Sequence, residues 1–484
     1  MSDSLPVELV FCGQPFDAAA VRHTIRHLAM RVGWQLVPQS RYRLLYATSG
    51  GDGPPVESCA SSDGVVVASS PPVSEHLELE RTPFPVARRS DGRLVPFPHP
   101  TPRLRRGWID ADVVAGAYAC LNLWYEQRTR PAAGWITYDQ DWMARIGLPD
   151  PLPLADQWLD MIYDAALELG WPATKSSRRF TVVLTHDVDY LPRRWDRGFP
   201  RLARAVYRQL VLRKRPLDAL VILGRYLAAV GRTRPPYLDI PHITAEEARF
   251  AARSSFQFVV AWGHRADPRY ARGDVPCHIV PEEWEVCLHS SYLAARTPGS
   301  MARERKRLEA LAGRVVRGGR QHYLNFEPAE LFREAAAAGL GYDLSVGYND
   351  RSGPRAGTYF PFRPNDLDAK RPYQFWEIPF VLMDTTLATT YRLGATEALA
   401  HAQAVLDPVA AAGGCVAIIW HQEQCGGLLD PGYDRTYFQL LEWLAGKGGR
   451  LTTGASLIAE LDAAWEATIV GSVGHGEEAT EPRG

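Results

Sequence analysis

The stretch Phe180-Thr-Val-Val-Leu-Thr-His-Asp-Val-Asp-Tyr190 sets His186, Asp187 and Asp189 directly behind a short β-branched apolar run. Such a run predicts a buried strand from Phe180 to Leu184. In an extended chain alternate residues point the same way, so Asp187 and Asp189 face one space together. Two carboxylates side by side repel unless something positive separates them or one takes a proton. A divalent metal on one, with the other acting as base, resolves that conflict. The plain structural alternative is a strand that ends in an Asx-type turn.

The elements that would have to position such a site follow in order. Strands are expected at Phe256–Trp262, Trp284–Leu288, around Val315–Val316, at Cys415–Trp420 and at Arg450–Thr453. Helices are expected at Met301–Ala312, Pro328–Ala338 (closed by Gly339), Ala395–Ala411, Asp434–Ala445 and Ala455–Ala467. Strands alternating with helices imply a parallel sheet or an α/β barrel, whose active site gathers at the C-terminal strand ends. Asp187 and Asp189, His289, His322 and His421 all stand just behind predicted strands, so four strand ends would meet on one face. One histidine after a strand is usually structural, whereas four such ends together point to a His/Asp metal site.

Ahead of this region, residues 1–175 read as a separate α+β domain of no assigned role. Its strands are expected at Val7–Phe11, Arg43–Ala47 and Val65–Ala68, and its helices at Ala18–Val32, Asp110–Tyr125 and Ala155–Leu169. Ser49 to Pro55 is a Gly/Pro-rich turn, and Trp171 to Arg179 the linker. Asp139, Asp141 and Asp150 are taken as caps and turns. The catalytic region is expected to span 176–467, with a basic helical insertion over 193–245 and a disordered tail over 468–484. The Arg-rich run from Arg193 to Arg234 reads first as the solvated face of a helix, and second as a peripheral membrane contact.

A length of 484 residues, 46% hydrophobic and 23% charged residues, and a net charge of -1 describe an ordinary globular chain. That balance gives no electrostatic reason for nucleic-acid binding. No signal peptide is evident, and no apolar run reaches the ~20 residues that span a bilayer. A cytoplasmic protein, in contact at most with the inner membrane face, is therefore expected. Seven cysteines with no CxxC pairing are expected to be free thiols and make a cysteine-based zinc site improbable.

Five motifs carry a family resemblance: Thr185-His-Asp-Val-Asp189, Glu285-Val-Cys-Leu-His-Ser-Ser291, Arg320-Gln-His-Tyr-Leu324, Arg355-Ala-Gly-Thr358 and Trp420-His421. In order and spacing they resemble a NodB-like, carbohydrate esterase family 4-like polysaccharide deacetylase, over residues ~180–465. More narrowly, the resemblance is to a branch with an N-terminal partner domain. It implies a distorted, incomplete (β/α) barrel and a metal-dependent hydrolase that removes acetyl from an N-acetyl sugar. Asp187 then matches the catalytic base, Asp189 the metal carboxylate and His289 the first metal histidine. Arg320 matches the residue that positions the base, and His421 the acid that protonates the leaving amine. Arg355 belongs to a matching motif, and Asp384 or Glu377 is expected to tune one of these groups.

Where the family usually has a second metal histidine, four residues after the first, this chain has Leu293. His322 is the leading candidate for the missing ligand and His186 the second, although strand alternation points His186 away from Asp189. Neutral imidazoles with a carboxylate suit zinc, with cobalt or manganese as alternatives. Two other readings remain at this level: a metal-free hydrolase of a ring amide or imide, and a non-catalytic glycan-binding scaffold. The substrate class, if cytoplasmic, would be a nucleotide- or lipid-linked sugar of surface-polysaccharide synthesis. Trp262, Tyr292, Tyr323, Tyr348 and Trp376 are the aromatics that could stack on it.

Overall fold

The structure, a computed structural model, describes residues 4–12, 17–48, 64–69, 86–88, 92, 94–96, 106–129, 136–174, 179–189, 199–212, 214–229, 240–268, 270, 275–425 and 430–469. Two compact units divide the chain: residues 1–119 with 154–177 and 460–484, and residues 120–153 with 178–459.

In the first unit the strands are β1 (Leu5–Cys12), β2 (Trp34–Leu36), β3 (Arg43–Thr48), β4 (Val65–Ser69), the hairpin β5 (Val86–Arg88) and β6 (Leu94–Pro96), and β7 (Trp108–Ile109). The main sheet runs β2-β1-β3-β4-β7 and every pairing in it is parallel. The α+β layout expected from sequence is therefore corrected to a parallel α/β sheet. The cause lies in the first connection: helix Ala18–Val32 carries the chain back so that β2 starts beside the start of β1, with Leu5 paired to Trp34. Asp17 caps that helix through bonds of 2.9 and 3.0 Å from the Ala19 and Ala20 amides. Thr468 and Ile469, expected in the tail, are ordered here: the Thr468 carbonyl accepts from the Leu36 amide at 2.7 Å. The Gly/Pro-rich turn 49–55 and the tail from 470 onward lie outside the described residues.

The second unit is built on β8 (Thr181–Asp187), β9 (Ser255–Phe258), β10 (Glu285–Ser290), β11 (Gly318–Gln321), β12 (Tyr342–Asp343), β15 (Trp376–Glu377), β16 (Phe380–Met383), β17 (Cys415–Ile419) and β18 (Arg450–Thr452). A small antiparallel pair, β13 (Asn365–Asp366) and β14 (Arg371–Pro372), stands apart. The large sheet runs β15-β12-β11-β10-β9-β8-β17-β16, with β18 beside the first half of β8, and all its pairings are parallel. Among the described residues the two ends of that path do not pair, so this is the incomplete barrel that the family resemblance implies. Every residue of β8 is buried, as expected for a near-continuous apolar strand covered on both faces.

Inside the sheet the strands crowd. A Cβ on Gly318 would stand 1.9 Å from the Tyr342 ring, so β11 can lie against β12 only because this residue has no side chain. Helix Pro328–Ala337 is followed by Gly339 at φ 68, the left-handed terminator expected there. The apolar helix expected over Asp110–Tyr125 breaks into Val113–Leu121 and Trp124–Thr129, with Leu123 left-handed at φ 48. Segment 120–153 belongs to the second unit: Asp350 accepts from the Tyr138 amide at 3.2 Å, and Asn122 from the Asn365 amide at 2.6 Å. Asp141 caps the short helix Trp142–Arg145, as expected.

Candidate metal centre with flanking acid and base

Parallel strands place their C-terminal ends along one edge, and on this edge the reactive residues collect. Asp187 ends β8 and Asp189 lies two residues on. His289 is the fifth residue of β10, Arg320 lies in β11, and His322 follows that strand directly. Asp384 follows β16 and His421 comes two residues after β17. Five strands thus contribute, one more than the four ends legible in the sequence.

Asp189, His289 and His322 each offer a ligand atom, and these atoms lie within 4.8 Å of one another. The His289 Nε2 stands 3.3 Å from Asp189 Oδ1, and the His322 Nε2 stands 3.5 Å from the same oxygen. That oxygen is buried yet has no hydrogen-bond partner. Burying a carboxylate oxygen without a donor is costly. Two imidazole nitrogens beside a carboxylate oxygen are the donor set a borderline divalent cation takes. Each histidine is also oriented from behind. The Nδ1 of His289 donates to the Arg320 carbonyl at 3.0 Å, which leaves its Nε2 free for a ligand. The Nδ1 of His322 faces Asp267 Oδ1 at 3.6 Å.

The His322 turn is strained. Tyr323 and Leu324, neither of them glycine, adopt φ 58 and 52. Such a conformation costs roughly 1–2 kcal/mol per residue. It is held by surrounding bonds, among them Asn325 Nδ2 to the Tyr292 carbonyl at 2.7 Å.

On one side of this cluster stands Asp187, buried and hydrogen-bonded by Arg320 Nη1. Arg320 is itself fixed by Nε to the Leu344 carbonyl (3.0 Å) and Nη2 to Thr185 Oγ1 (2.9 Å). Burial works against charge on Asp187, but Arg320, His289 and His421 outweigh it and hold the carboxyl below its usual range. Asp189 is held well below that range, its burial overcome by His322 and His289. On the other side His421 donates Nδ1–H to Asp384 Oδ1 at 2.7 Å, while its own amide bonds Asp384 Oδ2 at 3.0 Å. Its Nε2 faces Asp189 Oδ2 at 3.7 Å. Burial alone would lower the His421 pKa; Asp384, Asp189 and Asp187 raise it to about 10. The centre therefore sets an ionised carboxylate, Asp187, and a protonated imidazole, His421, beside Asp189.

No family model and no curated protein matches this chain. Among solved structures, one similar chain is a Mycobacterium smegmatis protein described as a polysaccharide deacetylase. It has 15% identity and a TM-score of 0.38, over 59% of this chain and 91% of that one. Another is a mutant CE4 family pseudoenzyme with restored enzymatic activity, at 12% identity and a TM-score of 0.29 over 58% of this chain and 68% of that one.

Three residues considered from sequence have other partners. His186 points to the opposite face of β8, where its Nδ1 meets the Trp420 carbonyl at 2.6 Å and its Nε2 meets Glu247 Oε1 at 2.9 Å. Strand alternation prevails over any turn, because β8 stays extended through Asp187. Arg355 is committed to Glu126, at 2.9 Å through Nε, and to the Gly347 carbonyl at 3.0 Å. Glu377 faces Asp343 rather than His421, and burial with that neighbouring carboxyl pushes its pKa well up. Asp384, the other acid considered, is the one that holds His421.

Asp267 was not among the residues singled out from sequence. It is buried in the loop after β9 and accepts from the Gly263, His264 and Tyr292 amides at 2.7 to 2.9 Å. No motif marks it. The only available signal was its place, in Gly263-His-Arg-Ala-Asp267, behind a predicted strand at the same edge.

Proposed function

We propose that this protein is a metal-dependent hydrolase that removes the acetyl group from an N-acetylated sugar or glycan intermediate. The observation that carries this reading is the convergence of Asp189, His289 and His322 on a buried carboxylate oxygen without a hydrogen-bond partner. A divalent ion, zinc by preference, would be held by those three residues. When bound it would supply Lewis acidity toward a carbonyl oxygen and lower the pKa of a water to ~7. This donor set favours the metal-assisted reading over a metal-free ring-amide hydrolase.

The chain's own residues supply the remaining chemistry. Asp187, kept ionised by Arg320, is the proton acceptor for the attacking water. Arg320 also limits its rotation, since the guanidinium is tied at three points. His421 holds a proton on Nε2 because Asp384 takes the Nδ1–H, and it delivers that proton to the departing amide nitrogen. An amine is a poor leaving group unless protonated, so acid and base must stand on opposite sides of the scissile bond. Here they belong to neighbouring strands, β8 and β17, and His421 Nε2 faces Asp189 Oδ2 at 3.7 Å.

Aromatic side chains beside this edge suit a sugar ring. Tyr323, 55% exposed, lies 4.6 Å from the His322 ring, and Trp262 is 41% exposed. Tyr292 stacks on His264 at 4.3 Å. Tyr348 and Trp376 are buried and belong to the core. We propose a sugar intermediate of surface-polysaccharide synthesis as the substrate class. The test is acetate release from N-acetylglucosamine oligomers by zinc-loaded wild type and Asp187→Asn. Release by wild type alone supports the reading; equal rates, or none with the metal in place, contradict it.

A further inference from the structure

The insertion after β8 contains two helices, Phe199–Tyr207 and Pro216–Ala229, joined through a π-helical turn, Arg208–Leu212. Its stretches 190–198, 213 and 230–239, which include Arg193, Arg194, Arg197 and Arg234, lie outside the described residues. The two helices share a small core of Leu202, Ala205 and Ile222, backed by Val206 and Tyr226. In the second helix Ala219, Ile222 and Tyr226 therefore form the inner face. An ordinary surface helix would be polar on the other side. This one carries Leu217, Leu220, Val221 and Leu227 there, at helical spacing, with Leu217 75% and Leu220 64% exposed. Phe199, Tyr207 and the run Leu210-Val-Leu212, elsewhere in the hairpin, are exposed as well.

Charge accompanies that surface. Between Phe199 and Ala229 there are seven Arg or Lys residues against a single acid, Asp218. Arg208 and Arg215 tie the hairpin to its own unit, to Asp430 at 3.2 Å and to Glu397 at 2.5 Å. Arg204 and Lys214 are exposed.

We infer that the hairpin Phe199–Ala229 docks on the surface of an anionic lipid bilayer, its leucines entering the headgroup boundary and its basic residues meeting lipid phosphates. Apolar area and positive charge on one face are the two terms that bind such a helix in the plane of a membrane. A second copy of the chain would cover the leucines but would bring two basic segments of the same sign, with the exposed Arg204 and Lys214, against each other. Spanning is excluded by length: 14 residues rise about 21 Å, short of the ~30 Å hydrocarbon core. Among the described residues no helix is long and apolar enough to cross a membrane.

The experiment is sedimentation of the full chain with vesicles of phosphatidylcholine alone or mixed with phosphatidylglycerol, at low and high salt. It reads binding rather than hydrolysis, so its outcome is separate from the assignment of the reaction. Binding is expected to the anionic vesicles only, to fall with salt, and to weaken roughly tenfold or more in Leu217→Glu/Leu220→Glu and in Arg204→Glu/Lys214→Glu. Unchanged circular dichroism in both variants checks that they fold. Absence of binding to anionic vesicles, or binding that both variants retain, overturns the inference. Concentration-dependent dimerisation without vesicle binding also overturns it, and assigns the face to a second copy.

Discussion

Strand β8 carries a polar cluster on each face, and the two differ in how their donors and acceptors are matched. On the His186 face, Glu247 receives His186 Nε2 at 2.9 Å and Tyr437 Oη at 2.6 Å on one oxygen. On the other it receives Ser254 Oγ at 2.8 Å and Trp284 Nε1 at 2.7 Å. Both of its oxygens are used. On the Asp187 face, Asp189 Oδ1 and His322 Nδ1 are buried without a hydrogen bond, and two imidazoles point at one oxygen. A fully matched buried network rigidifies a core, whereas a mismatched one must be completed from outside. Residue types alone do not separate the clusters, since each holds histidine and a carboxylate. Matching does.

The comparison can be broken or sharpened in four ways. The largest effect is expected for Asp187→Asn, which keeps the shape but removes the proton acceptor. The rate of acetate release should fall about 10²- to 10⁴-fold with metal content unchanged. Next, His186→Ala should act on stability alone. Leaving the buried Glu247 charge without its partner should cost about 3–5 kcal/mol in chemical denaturation, and the folded fraction should keep its metal. Metal loss in that variant would erase the distinction between the faces. Third, Asp267→Asn weakens the support behind His322 and should lower metal affinity about 10- to 100-fold, read by competition with a chelating dye.

The smallest effect is a pH dependence. In the metal-free protein burial opposes charge on His322, but Asp189 and Asp267 raise its pKa to about 9. A raised folded-state value stabilises the metal-free fold fully below about 6.5 and loses that contribution as pH rises through 9. Metal binding must displace this proton. Affinity should therefore climb with pH between these limits, by up to about tenfold per unit for one proton. A pH-independent affinity in that window would remove His322 from the ligand set.

Five strands of the large sheet, β8, β9, β10, β17 and β18, were legible as short apolar runs. By contrast, β11 is Gly318-Gly-Arg-Gln321, and the strand expected around Val315–Val316 forms only after those valines, while β12, β15 and β16 gave no such signal. The candidate residues lie at or just past the ends of these strands. Asp187, Asp189, His289, Arg320, His322 and His421 meet for that reason. Asp267 was not legible, since it sits nine residues beyond β9 in a loop whose course no periodicity describes. The partner of Arg355 was equally hidden: Glu126 is 229 residues away in sequence, in a segment read as belonging elsewhere. The exposed leucines of Pro216–Ala229 show the converse. In the sequence the segment reads as the solvated face of a basic helix, but Leu217, Leu220, Val221 and Leu227 are exposed opposite the packed face.

The central claim is tested most directly by elemental analysis of purified wild type, Asp189→Ala, His322→Ala and His186→Ala. About one zinc-like ion per chain in wild type and His186→Ala, absent from the other two, is the predicted result. Retention in Asp189→Ala and His322→Ala, or none in wild type after incubation with zinc or cobalt, would contradict it.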